Sequence, residues 1–194
     1  EVLDFCGPFE VFSVTRLNEE KRREETSPFE VFLVAETLSS VTTTGGRKVI
    51  HQYSFENCQR LDILVVPGGW GTRKELNNPV MLEWLRSRAA EVEILTSVCT
   101  GSMLLGFAGL IDGLHATTHW RSLGWMRDSF PAVFVEYEQH VVENGRVFTS
   151  AGISAGIDMA LKVVVRYYGK DIARATAVHM EYPFPVSNER RISL

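Results

Sequence analysis

A chain of 194 residues, 45% hydrophobic and 23% charged, describes an ordinary globular protein, one domain over residues 1–194 with a substantial core. A net charge of −4 without a face-concentrated basic run argues against a nucleic-acid partner, and the charged stretch at 19–25 is balanced in sign. No apolar run approaches the ~20 residues that cross a membrane, no signal peptide is visible, and three cysteines without paired spacing argue against a disulfide framework, so a cytoplasmic location is expected.

The chain opens at Glu1-Val2-Leu3-Asp4, at the edge of a helix read over residues 5–17, with Pro8 near its first turn. An α/β domain should begin with a buried strand, so a central strand preceding Glu1 is expected to be missing from the sequence. Residues 29–35 read as a strand, and short strands are expected around 47–50 and 53–55 with a turn at Gly45-Gly46. A buried strand at 61–66 leads to a helix from Asn78 to Ala90, with Asn78 as cap and Pro79 at the first helical position. Strand 92–98 and helix 100–110 follow, then a short strand at 115–118 and a helix over about 120–128. Residues 141–150 read as a hairpin arm and a strand around Glu143-Asn144-Gly145-Arg146. Two helices, about 154–168 and 170–179, complete the domain. Apolar runs alternating with helical patterns point to a mostly parallel sheet with crossover helices.

Cys99 stands where strand 92–98 turns into helix 100–110. A tight strand-to-helix turn pushes a side chain out of the sheet's carboxyl edge, as in the nucleophile elbow of hydrolases. Unpaired N–H groups and the dipole at a helix N-terminus favour an anion, so a lowered thiol pKa and a nucleophilic sulfur are expected. A small residue filling a crowded turn fits this segment equally well, since free cysteine is often buried. Gly68 and Gly69 follow the strand at 61–66, and their peptide N–H groups could stabilise charge on a substrate bound to Cys99.

Five blocks in this order resemble the ThiJ/PfpI superfamily of flavodoxin-like cysteine proteins. They are Leu3-Asp4-Phe5-Cys6-Gly7-Pro8-Phe9-Glu10-Val11, Asp62-Ile63-Leu64-Val65-Val66-Pro67-Gly68-Gly69-Trp70-Gly71, Thr96-Ser97-Val98-Cys99-Thr100-Gly101-Ser102, Ala116-Thr117-Thr118-His119-Trp120 and Phe148-Thr149-Ser150-Ala151-Gly152-Ile153-Ser154-Ala155-Gly156-Ile157-Asp158. Within the superfamily the pattern is most similar to the isonitrile hydratase branch, and sensor domains of AraC-type regulators share much of it. The resemblance implies a flavodoxin-like three-layer sandwich with helices on both faces of the sheet, and a site at the sheet's carboxyl edge.

It also implies that Asp4 reaches the Cys99 sulfur and exchanges a proton with it or with the substrate. Packing against the sulfur and apolar walls should favour protonated Asp4. Read without the resemblance, Asp4 is a helix cap. Thr100 is expected to complete an oxyanion-type hole with Gly69, although a β-branched residue at a helix start competes with that reading. His119 lies on the next strand end and reads as pocket lining first and general base second, because no acidic partner for its ring is evident. Small residues around Gly152 leave room over Cys99. Trp70, Phe5 and Trp120 read as an apolar substrate pocket or as core. His51, His115, His140 and His179 show no ligand pattern, so no metal is expected, and no cofactor.

The implied activity is hydration of an isonitrile to an N-substituted formamide: Cys99 attacks the isonitrile carbon, Asp4 supplies the proton, and water releases the product from a thioimidate. A ligand-sensing domain of an AraC-type regulator is the alternative, although no basic helical tail is read within the 194 residues. A peptidase or glyoxal-acting enzyme would need a well-oriented His119 or a glutamate in place of Asp4. The expected partners are a small-molecule substrate and a second copy of the chain in a homodimer, with Glu10 and residues 45–55 as contact surfaces.

Overall fold

Alternation along a few short strands divides the interior into two apolar clusters, one on each face of a sheet. The computed structural model describes residues 1–193. Helix α1 (Val2–Val14) is followed by four two-residue strands: β1 (Val34–Ala35), β2 (Val41–Thr42), β3 (Lys48–Val49) and β4 (Tyr53–Ser54). Then come β5 (Ile63–Val66), α2 (Thr72–Glu75), α3 (Pro79–Glu91), β6 (Ile94–Val98) and α4 (Gly101–Phe107). Strand β7 (His115–Ala116), a 3-10 turn at Trp120–Ser122, α5 (Leu123–Ser129) and β8 (Phe134–Val135) lead to β9 (Val141–Asn144), β10 (Val147–Ser150) and α6 (Ala155–His179).

The main sheet has the order β5-β6-β10-β9. Strands β5, β6 and β10 are parallel, and β9 joins antiparallel through the hairpin at Asn144-Gly145. Leu64, Val66, Leu95 and Val147 face one cluster with α3, α4 and α5. Ile63, Val65, Ile94, Val98 and Phe148 face the other, with α1 and α6. Period-two alternation in a sheet covered on both sides is the α/β flavodoxin-like arrangement.

Local chemistry explains most boundaries. Asn78 Oδ1 accepts the Val80 and Met81 N–H groups at 3.0 and 3.3 Å, and Pro79 opens α3. The two helices expected at 154–168 and 170–179 meet as α6, broken at Gly169 with φ 84°. Three expectations change. Helix α1 begins at Val2, so Pro8 lies inside it rather than in its first turn. Of residues 29–35 only Val34–Ala35 is paired as a strand; the Leu33 N–H is taken by Gln52 Oε1 at 2.9 Å. The turn at Gly46 joins β2 to β3, whereas β4 pairs with β1.

After α6 the chain runs back along β9. The His140 N–H donates to the Asn188 carbonyl at 2.8 Å, and the Asn188 side chain accepts from Val141 N–H and donates to the Val141 carbonyl at 3.1 and 2.7 Å. Tyr182 and Arg191 close on buried Asp158, the tyrosine hydroxyl donating at 2.9 Å. Asp158 thus anchors this returning segment.

Candidate active site

Cys99 closes the β6–α4 turn with φ 56°, in the left-handed region that non-glycine residues seldom adopt. Its N–H donates to the Ser150 and Ala151 carbonyls at 3.2 and 3.1 Å. Its carbonyl accepts the Ser102 and Thr118 hydroxyls, each at 3.0 Å. The elbow is therefore clamped from α4, β10 and the segment after β7. Gly68 and Gly101 allow the turn after β5 to approach it: a Cβ on Gly68 would crowd the Thr100 N, and one on Gly101 would overlap the Val66 carbonyl.

Asp4 enters from α1 and is fully buried. It lies in the helix's first turn but does not cap it; Oδ2 instead accepts the Gly68 N–H at 3.0 Å. Oδ1 is buried without a hydrogen-bond partner of normal length, although the Cys99 sulfhydryl is near enough to favour the charged carboxylate slightly. Burial raises the Asp4 pKa to about 6, against the pull of the Gly68 N–H. This is the direction expected from the sequence.

The sulfur departs from expectation. Burial and the Asp4 charge raise the Cys99 pKa to about 11, outweighing the Thr100 and Ile153 N–H groups that favour the thiolate. A helix N-terminus offers a fraction of a charge at its end, and desolvation with a carboxylate beside it is the larger effect here. Between about pH 6 and 11 the pair Asp4–Cys99 therefore carries one proton.

Gly69 does not present a free N–H. Its N–H donates to Thr100 Oγ1 at 2.9 Å, and Thr72 Oγ1 lies 3.1 Å from the same oxygen. Thr100 thus ties the turn after β5 to the elbow. The groups that favour the thiolate are the Thr100 and Ile153 N–H groups and the Thr100 hydroxyl. Ile153, with φ 54°, was not among the residues singled out from the sequence. A β-branched residue in the left-handed region is an outlier that no sequence pattern announces.

His119 is half-buried, and its Nδ1 accepts the Arg121 N–H at 3.3 Å. Burial lowers its pKa, helped by the Arg121 and Arg190 charges. Among the described residues no carboxylate is hydrogen-bonded to its ring. Gly152 is where a Cβ would overlap that ring, so it makes room for His119 rather than over Cys99. Trp70 and Trp120 are 65% and 42% exposed and do not enclose a pocket. Each ring instead carries a guanidinium, Arg73 at 4.3 Å and Arg121 at 4.8 Å from the ring centres. Among the described residues no group of three His, Cys, Asp or Glu side chains converges as a metal site would require.

Comparison with known proteins gives this geometry its relatives. The chain is 36% identical over 181 residues to the isonitrile hydratase of Pseudomonas putida, covering 93% of this chain and 73% of that one. It is 30% identical over 135 residues to the HTH-type transcriptional regulator GbdR of Pseudomonas aeruginosa, but spans only 36% of that regulator's length. A ThiJ/PfpI family protein from Pseudomonas syringae superposes with a TM-score of 0.81 at 30% identity, covering 96% of this chain and 73% of that chain. With the DJ-1/PfpI family matched over residues 1–166, under the same elbow and sheet, the chain belongs to that family.

Proposed function

We propose that the protein hydrates isonitriles to N-substituted formamides, using Cys99 as nucleophile and Asp4 as proton carrier, with no cofactor. The observation that carries this reading is the burial of Asp4 and Cys99 at one point of the sheet edge, the Asp4 carboxyl accepting the Gly68 N–H and Cys99 held at the β6–α4 turn. A base with a pKa near 6 is ionised at neutral pH and accepts the thiol proton as the sulfur bonds the isonitrile carbon. Asp4 then returns that proton to the same carbon, giving the thioimidate R–N=CH–S–Cys99. Water adds to the thioimidate carbon, one of its protons passing through Asp4 to nitrogen. The C–S bond breaks, R–NH–CHO leaves, and the sulfur regains a proton. The net change is one water consumed. The Thr100 and Ile153 N–H groups stabilise negative charge on sulfur in the first and last steps.

The similarity to the hydratase over 93% of the chain supports this reading. The similarity to GbdR supports a second one, a ligand-sensing domain that needs no turnover. A peptidase-type reading is weaker, because no acid orients the His119 ring among the described residues. The test is incubation with cyclohexyl isocyanide in the presence of chelator, with the formamide quantified by chromatography. Product that disappears in both Cys99→Ala and Asp4→Asn supports the enzyme. No product from this compound or from a carboxylate-bearing isonitrile, in a protein whose Cys99 is alkylated by iodoacetamide, favours the sensor.

A further inference from the structure

A cleft of about 510 Å3 lies between α2, the last residue of α4 and the start of α5. Leu76, Phe107 and Trp125 form its apolar part, and Arg73, Arg121 and Asn77 its polar part. The volume suits a small molecule. No acidic side chain lines it. Arg86, Arg88 and Arg127 each hold a carboxylate close by. Neither Arg73 nor Arg121 has such a partner among the described residues. In a chain of net charge −4, two uncompensated guanidinium groups on one cleft are a local reversal of sign.

Both are held in place by aromatic rings. Arg73 lies over Trp70 at 4.3 Å and reaches Trp125 at 5.5 Å, and Arg121 lies over Trp120 at 4.8 Å. Stacking fixes a guanidinium plane and leaves its N–H edge open to a ligand. Two short stretches of chain link the cleft to the site. Arg73 follows Thr72, whose hydroxyl lies 3.1 Å from that of Thr100. Arg121 lies two residues beyond His119, and its charge is felt by the His119 ring.

We propose that this cleft binds the carboxylate end of a small apolar molecule, with Arg73 and Arg121 holding the anion and Leu76, Phe107 and Trp125 its carbon body, so that the far end is presented to Cys99. The substrate class is then an isonitrile bearing a carboxylate; this part rests on Cys99 being the reacting thiol. A planar, singly charged carboxylate matches the guanidinium fork, and the apolar floor disfavours a free inorganic anion.

The probes are benzoate and its uncharged counterpart benzamide. Binding is read by tryptophan fluorescence, since Trp70, Trp120 and Trp125 all touch the cleft or its arginines, and checked by calorimetry. Benzoate is expected to bind at least about ten-fold more tightly than benzamide, and to lose that margin in Arg73→Gln/Arg121→Gln, as removal of charge-assisted hydrogen bonds requires. Arg73→Lys/Arg121→Lys should restore part of it. Benzoate should also slow alkylation of Cys99 by iodoacetamide at concentrations that saturate the fluorescence change. Equal binding of the two probes, or benzoate binding unchanged in the glutamine variant, overturns the proposal. Arginine-dependent binding that leaves Cys99 alkylation unaffected overturns the placement of the ligand toward the sulfur. If Cys99 resists alkylation in the free protein, the nucleophile reading fails, and the binding comparison still decides the cleft.

Discussion

One proton shared by Asp4 and Cys99 sets the pH behaviour of the site. The rate should rise with pH through about 6, as Asp4 becomes able to accept the thiol proton, and fall near 11, as the sulfur loses the proton that must reach the isonitrile carbon. A steady-state profile of kcat/KM checks both limbs. Asp4→Asn abolishes turnover but removes the charge that raises the sulfur, so Cys99 alkylation should show a midpoint below that of the wild type. The same carboxyl bears on stability. Its pKa is higher folded, about 6, than its ordinary 3.8, so its stabilising contribution is complete below about pH 4 and is lost as pH rises through 6. Asp4→Asn should therefore match the wild type in stability at pH 4 and exceed it at pH 7.5, by up to about 3 kcal/mol; calorimetry at the two pH values gives the comparison. At this scale the sequence was only partly legible. The turn at Cys99 was legible, because a buried strand running into a small-residue helix start is a local pattern, but the segment alone fitted a nucleophile and a buried filler equally well. Asp4 read locally as a cap and acquired its other role only through resemblance, because its partners, Gly68 and Cys99, are distant in the chain. The direction of the Cys99 pKa was misread, because a helix N-terminus is visible in sequence and desolvation is not.

The β5 and β6 elements meet at glycines, and this contact positions the elbow. Gly101→Ala forces a Cβ onto the Val66 carbonyl, a backbone atom with no freedom to move aside. It should cost about 1–3 kcal/mol and lower turnover by roughly 100-fold through misplacement of the sulfur. Gly124→Ala, in α5 with nothing near its Cβ position, is the matched control and should leave activity intact while raising stability by up to about 1 kcal/mol. Most elements were readable because each carries its own punctuation: Asn78-Pro79 before α3, Asn144-Gly145 between β9 and β10, Gly169 within α6. Residues 29–35 show where that fails. Their alternation is genuine, with Phe29 and Val31 against one cluster and Phe32 and Val34 against the other. Alternation reports burial on two faces, however, and does not say whether a neighbouring strand completes the ladder.

Across the whole molecule, exposed apolar residues are scattered, and three of them, Leu38, Val41 and Ile50, lie at or beside the β2–β3 hairpin, Ile50 being 85% exposed. We propose that Ile50, within the expected contact region at residues 45–55, packs against a second copy of the chain. Sedimentation equilibrium at micromolar concentration should give twice the 21.8 kDa chain mass, and Ile50→Lys should shift the protein toward monomer; a monomeric wild type would remove the claim. The opposite treatment is given to β9, the last strand of the main sheet. There the chain's own returning segment supplies Asn188 to the Val141 N–H and carbonyl, and the Asp158 anchor holds that segment down. An unpaired strand border is a template on which further chains can stack into fibrils. The residues beyond α6 therefore act as a selvedge along the start of β9, and a protease cut near Tyr182 should bare this border and raise aggregation measured by thioflavin T fluorescence.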